Sequence, residues 1–358
     1  MNRRKVLPIG IDLGSKVVKL AQLRVRGHQV EMAAAGAAEL PAAGQGGELS
    51  RPEALTRGIR ALVKANPFKG RQCVISLPAQ DTLLRHVKVP KVGPDRFAQE
   101  LRVASEREFS CHWEDMVVRY EVVGETVADG EIRQEVLVIA AGRRELAGYL
   151  TAAESAGLEV TAVNVEASAV VECYQRILRQ AKDSPHAVVF VDLGAGSTKV
   201  VLSRAGRIIF ARNLVIGGGH LDQALADGSG ASVEEAHRLR LECGSGAAEK
   251  AVVERTYELL GPQIDDIAGQ VNQCLRYCQS VFKGLEAETA VFIGGAAQDR
   301  RLCQEIAKRL GLPAKMGDPL VGLARAGRGA SEATLPGGKD RPDLSIAVGL
   351  SLGALPAA

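Results

Sequence analysis

Two stretches of the chain carry residues whose type and spacing could hold a phosphate. In VDLGAGSTKVVLSRAG, residues 191–206, a hydrophobic run delivers Asp192 to a glycine-rich turn, and a second apolar strand leaves at Val200. Glycines at such a turn allow positive φ and bring backbone N–H groups close to an anion, while a strand-end carboxylate can hold a divalent cation through water. Alone, the stretch reads equally as an ordinary β-hairpin. Residues 11–24, IDLGSKVVKLAQLR, superpose on 191–204 without a gap, with Asp12 on Asp192, Gly14 on Gly194, Lys19 on Lys199 and Arg24 on Arg204. With no short repeat period, this implies a duplicated domain and two related halves.

The elements that must position these turns follow in order. Strands are expected at Val6 to Asp12, Val17 to Val25 and Gln29 to Ala35, then a helix at Pro52 to Ala65 and a strand at Arg71 to Leu77. Residues 81–163 change character and predict a compact inserted α+β module. It contains a basic strand (Leu83 to Val89), a helix (Asp95 to Phe109), two strands (Met116 to Val123, Glu131 to Ala140) and a helix (Arg143 to Ala156), with Trp113 in its core. A strand from Val160 leads into a helix at Glu166 to Gln180, broken by Asp183 to Pro185 before the second half begins. There, Gly217 to Gly219 open a helix whose start suits either phosphate approach or a plain N-terminus. Ser232 and Glu235 form a capping box, and a long helix, Val252 to Lys283, is expected to run across Pro262. A strand, a Gly294-Gly295 turn and a helix at Arg300 to Leu310 follow. A surface loop at 326–343 and a short apolar helix at Leu344 to Ala354 close the chain.

Composition sets the class. The 358 residues are 46% hydrophobic, enough to bury a full core in two or more domains. A net charge of +3 spread along the chain argues neither for nucleic acid nor strongly for an acidic membrane surface, and no nucleic-acid partner is expected. Seven scattered cysteines suit reduced thiols; Cys274 and Cys278 share a helix face without completing a zinc pattern, and buried structural roles are expected. Asp12 interrupts the apolar run after the basic N-terminus, excluding a secretory signal, and no stretch reaches the ~18 apolar residues of a membrane span. A cytoplasmic protein without direct membrane insertion is expected. No Gly-x-x-x-x-Gly-Lys-Ser/Thr sequence occurs, so a P-loop is excluded.

The ordered set of Asp12/Gly14, Glu166, Asp192/Gly194/Gly196, Gly294/Gly295 and AVGLSLG at 347–353 resembles the five nucleotide motifs of the actin-like ATPase superfamily. CVISLPAQDTLLRHVKVPK, the insert at 81–163, FARNLVIGGGHLDQALA with SVEEAHRLR, and MGDPLVGL together resemble the PilM family of type IV pilus assembly proteins, relatives of the cell-division protein FtsA. The resemblance implies an α/β, bilobed actin-like fold with a duplicated RNase H-like core and an FtsA/PilM-type inserted α+β subdomain. The first lobe would comprise residues 1–80, completed by 164–185 and 344–358; the insert 81–163; and the second lobe 186–343, with its own insertion at about 220–288.

It further implies ATP or ADP with Mg2+ between the lobes. Backbone N–H groups at Gly14, Ser15, Gly194, Ala195, Gly196 and Ser197 would cradle phosphates, with Lys16, Lys19, Thr198 and Gly218 nearby. Asp12 and Asp192 would hold Mg2+ through water, and Glu166 would orient a water, making Asp12, Glu166 and Asp192 the candidate catalytic set. Gly294, Gly295 and Ala296 would floor the adenosine, with Glu235 or Arg238 reaching its ribose or base. One departure stands out: the first turn carries Lys16 and Val17 where the family usually has small hydroxyl residues, so binding with slow turnover or none is expected.

As partner, the resemblance implies the N-terminal tail of a PilN-like inner-membrane protein, held between the first-lobe core and the insert near residues 77–90. It also implies a place peripheral to the inner membrane, beside other platform components and motor ATPases, with self-association possible. A superfamily small-molecule kinase, an FtsA-like division protein and a type II secretion component are the alternatives. The kinase would need an acceptor pocket with a catalytic carboxylate. FtsA would carry an amphipathic membrane helix after a linker, whereas this chain stops at Ala358 after the last motif.

Overall fold

A computed structural model describes residues 5–41, 49–109, 112–128, 130–178, 186–323 and 341–355. The expected first strand is two pieces, β1 (Lys5–Val6) and β2 (Ile9–Leu13), parted at Pro8, whose nitrogen has no proton to give to a ladder. β3 (Val17–Arg26) and β4 (Gln29–Glu39) complete a meander. Helix α1 (Arg51–Ala65) starts where the Ser50 amide donates to Glu53, and it buries Leu55, Ile59 and Leu62 along one face. β5 (Gln72–Leu77) then lies parallel to β2.

The insert follows as β6 (Leu83–Pro90), α2 (Pro94–Glu106), β7 (Met116–Ala128) and β8 (Glu131–Gly142), a three-stranded sheet in the order β6-β8-β7. Its own core is small, with Val87, Val89, Phe97, Leu101, Val136 and Val138 at its centre. Trp113, expected in that core, is half-buried and outside the core clusters. Helix α3 (Arg143–Ser155) and strand β9 (Glu159–Val165), also expected in the insert, pack elsewhere. Tyr149, Ala152 and Ala153 of α3 join Ile9, Ile11 and Ile75 in the first-lobe core, and β9 pairs with β5. An amphipathic helix goes to the larger apolar surface within reach, and the three-stranded sheet has little to offer beyond α2.

Helix α4 (Glu166–Leu178) crosses to the second lobe, where β10 (His186–Leu193), β11 (Thr198–Arg204) and β12 (Arg207–Leu214) repeat the meander. Helices α5 (Gly218–Ser229), α6 (Val233–Ser245), α7 (Lys250–Leu259) and α8 (Gly261–Val281) precede β13 (Glu286–Ile293), α9 (Arg300–Leu310) and β14 (Ala314–Met316). The single long helix expected across Pro262 is therefore two. Proline inside a continuous helix would clash with the carbonyl four residues back, whereas in the first turn of α8 its missing N–H costs nothing. Cys274 and Cys278 are buried in α8 with free thiols, as expected.

The two main sheets have the same topology. The first runs β4-β3-β2-β5-β9 and the second β12-β11-β10-β13-β14, each with three antiparallel strands followed by two parallel ones. Between them lie α4 and the fully buried α10 (Ser345–Leu352). These helices touch backbone to backbone: a Cβ on Gly349 would lie 1.8 Å from the Ala169 carbonyl oxygen. The insert also touches the second lobe, His86 stacking on Phe210 and Tyr277 donating to the buried Glu135 carboxylate. The breaker at Asp183 to Pro185 and residues 326–340 of the expected surface loop lie outside the described residues.

Candidate functional site

In each meander the hairpin register places the strand-end aspartate directly opposite a lysine, Asp12 against Lys19 and Asp192 against Lys199. Cross-strand partners share a face, so the charges meet. Lys19 Nζ lies 2.9 Å from Asp12 Oδ2, and Lys199 Nζ lies 3.0 Å from both Asp192 Oδ2 and Glu166 Oε2. Glu166 reaches this point as the first residue of α4, which starts where β9 ends. Asp12, Glu166, Asp192 and Lys199 are all buried. Burial opposes the charged form of both lysines, but the carboxylates outweigh it and hold each ammonium above its usual range. Burial pushes the Glu166 carboxyl up to about 7, with Asp12 and Asp192 adding to the rise against the pull of Lys199.

The two hairpin turns face each other across an interlobe cleft. Asp12, Gly14, Ser15, Lys16 and Lys19 line it from the first lobe, with Glu166 from α4. Asp192, Gly194, Ala195, Gly196, Ser197, Gly294 and Gly295 line it from the second lobe. The amides of Gly14, Ser15, Gly196 and Ser197 make no turn or cap hydrogen bond among the described residues, which leaves them able to face an anion. The Gly194 amide is different, donating inside its own turn to Ser197 O at 3.0 Å. The start of α5 is also spent, because the Gly218 and Gly219 amides donate to Gly194 O and Ala195 O, each at 2.8 Å. Gly217 to Gly219 thus brace the second turn, and the plain helix start is the reading that fits.

Five expected residues do not line the cleft. Thr198 is buried, its hydroxyl without a hydrogen-bond partner among the described residues. Gly218 and Ala296 sit behind the cleft wall, where a Cβ on Gly218 would lie 3.2 Å from Ala296 Cβ. Glu235 is exposed and held in its capping box with Ser232, and Arg238 points to solvent. The arginine that turns inward is Arg240, which donates to Asp222 at 2.7 Å and lies 3.6 Å from Asp299. It ties α5 to the start of α9 behind Gly218.

Gly294 has a stricter role than a flat floor. Its φ is +90° and a Cβ there would lie 2.3 Å from Asp192 Oδ1, so glycine is demanded by the carboxylate itself. Gly295 has open space above it and suits a ring against backbone. Cleft residues absent from the expectations are Val17, Pro78, Ala79, Gln80, Lys199, Pro342, Asp343 and Ile346. Lys199 had a signal, being the repeat of Lys19. Pro78 to Gln80 belong to the family-like run CVISLPAQDTLLRHVKVPK, which points to a partner and not to the cleft, and Pro342 to Ile346 carried no motif; the chain path brings both to the cleft.

The arrangement suits an anion between two turns that offer amides and ammonium groups. It suits a dication poorly. Asp12 Oδ1 is buried without a hydrogen-bond partner among the described residues and is free to ligate a cation, but Asp12 Oδ2 and Asp192 Oδ2 face lysine ammonium groups. Among the described residues no group of three or more His, Cys, Asp or Glu side chains could hold a metal.

A duplicated meander sheet, paired acidic turns facing across a cleft and two helices crossing between the lobes define an actin-like ATPase fold. Residues 10–355 match the family of the type IV pilus assembly protein PilM, and the chain belongs to that family. A solved PilM-PilN type IV pilus biogenesis complex contains a chain that superposes with a TM-score of 0.80 at 23% identity, over 98% of this chain and 99% of that one. The ethanolamine utilization protein EutJ from Carboxydothermus hydrogenoformans superposes at 0.54 with 16% identity, over 97% and 89%. In sequence, the cell division protein FtsA of Agrobacterium fabrum is 28% identical over 184 residues, 45% of this chain and 39% of FtsA. FtsA of Rhizobium meliloti is 27% identical over 173 residues, with the same shares. The chain thus spans about two-fifths of the length of these relatives. No helix among the described residues is long and apolar enough to cross a membrane.

Proposed function

We propose that this chain is a nucleotide-binding scaffold of the inner-membrane platform that assembles a type IV pilus or a related secretion apparatus. In this reading it lies in the cytoplasm against the inner membrane and takes the N-terminal tail of a PilN-like protein. The observation that carries the nucleotide part is the facing pair of acidic turns with unspent amides at Gly14, Ser15, Gly196 and Ser197. ATP or ADP phosphates would lie between them, with the adenosine over Gly295. Phosphoryl transfer needs mainly positioning and charge neutralisation. The first turn offers Val17 where a hydroxyl would donate, so slow turnover or none is the expected chemistry.

The partner reading draws on the relative solved as a PilM-PilN complex. On this chain the cleft residues Pro78, Ala79 and Gln80 lead directly into β6, an edge strand of the insert sheet. Exposed Arg85 and Lys88 lie along β6, where an extended tail could add as a strand. What happens at the cleft is thus one short turn away from the tail.

A fluorescent ATP analogue tests the first part: the chain is expected to bind it and Gly196→Val, which crowds Ser15 across the cleft, to bind it more weakly, and unchanged affinity in that variant sinks the site. For the second part, a peptide copying the cytoplasmic tail of a PilN-like neighbour is expected to bind at roughly micromolar Kd. Absence of binding removes the pilus-platform reading.

A further inference from the structure

Each strand-end aspartate that would face a metal already faces a fixed cation. Lys19 stands opposite Asp12 in the β2–β3 ladder and Lys199 opposite Asp192 in the β10–β11 ladder. Both halves of the duplication thus carry the same ion pair, at 2.9 Å and 3.0 Å. Lys199 does more than its counterpart, reaching Glu166 at 3.0 Å as well. The Lys199 side chain is 8% exposed, Asp192 4% and Glu166 7%, so the triad sits where charges are weakly screened.

In a phosphate site flanked by carboxylates, a dication has two tasks. It neutralises the phosphates, and it shields them from the carboxylates. Here the second task is done by the protein, since Asp12, Asp192 and Glu166 face two ammonium groups at ion-pair distance. A dication settling against the same carboxylates would meet those ammonium groups with twice the repulsion of a monovalent ion. The first task falls to Lys16. A Cβ on Gly219 would lie 3.6 Å from Lys16 Nζ, so this first-lobe side chain reaches across the cleft to the start of α5, which braces the second-lobe turn. It makes no ion pair among the described residues.

We propose that Lys19 and Lys199 are built-in counter-ions that let the cleft hold a nucleoside polyphosphate without a divalent cation, Lys16 supplying the charge that meets the phosphates. The inference rests on the nucleotide reading above but can fail independently of it. Affinity for a fluorescent ATP analogue, read by anisotropy in Mg2+ and in EDTA, distinguishes the two. For the unaltered chain the affinities in the two buffers are expected to agree within about fivefold. In Lys199→Met, which frees Asp192 and Glu166, binding is expected to persist in Mg2+ and to weaken by more than about fivefold in EDTA. Lys19→Met gives a second variant should Lys199→Met fail to fold.

A larger loss in EDTA for the unaltered chain shows that Mg2+ holds the phosphates, which overturns the proposal and leaves the nucleotide site standing. A folded lysine variant that binds equally in both buffers overturns it too. No binding in either buffer removes the nucleotide reading and the proposal together.

Discussion

Ser15 of the first turn and Gly196 of the second meet across the interlobe cleft: a Cβ on Gly196 would lie 3.2 Å from Ser15 Oγ. A methyl there fits only if Ser15 Oγ gives by a few tenths of an ångström, and a larger side chain crowds the two turns. Gly196→Val adds a branched side chain at this contact, so the two sets of amides should separate. Affinity for a fluorescent ATP analogue is expected to fall by about tenfold or more while the melting temperature changes little, because the strain is relieved by lobe opening.

Gly294 should respond differently. With φ at +90° and Asp192 Oδ1 2.3 Å from a built Cβ, Gly294→Ala combines backbone strain with a clash against backbone and carboxylate. A loss of roughly 3 kcal/mol in unfolding free energy is expected, read from denaturant midpoints. An unchanged midpoint would contradict the close approach.

Arg51 at the start of α1 links the first turn to the insert. Its guanidinium donates to Ser15 O and Gly14 O, each at 3.2 Å, and to Tyr149 Oη at 3.3 Å, and Tyr149 in turn donates to Asp81 just before β6. In Arg51→Met the turn carbonyls lose a charged donor, a loss of roughly 2 kcal/mol. The first turn is then held less firmly, and affinity for a fluorescent ATP analogue is expected to fall. Tyr149→Phe removes that hydroxyl's bonds to Arg51 and Asp81 but leaves the Arg51 donations to the turn carbonyls, and is expected to leave nucleotide affinity nearly unchanged.

The insert is docked on the second lobe by Tyr277, whose hydroxyl donates to Glu135, with His86 3.3 Å from the same carboxylate oxygen. Tyr277→Phe leaves a buried carboxylate short of a donor and is expected to cost roughly 2 kcal/mol. Glu135→Gln keeps an acceptor for the tyrosine and removes the buried charge, so its cost should be smaller. Thermal melts of the two variants read the order, and the reverse order would place the stabilisation in the charge.

Much of the site was legible because it is local. A hairpin register follows from the turn between its strands, so Asp12 with Lys19, and Asp192 with Lys199, are set by spacing along the chain. The same holds for the facing glycines, for the capping box that kept Glu235 on the surface, and for each strand whose apolar residues alternate. Pro262 was legible as a break too, and the expectation of one helix across it gave its ring too little weight.

Sequence alone determined the repeat, the two acidic turns and the strands that carry them, because turn chemistry and side-chain periodicity act over a few residues. Tertiary structure decided what those turns meet. It brought Glu166 to Lys199, chose Arg240 over Arg238 as the inward arginine, moved α3 and β9 into the first lobe and set Pro342 and Asp343 on the cleft wall. Each of these depends on which apolar face covers which. That is settled by burial summed over the whole chain, and no single segment encodes it.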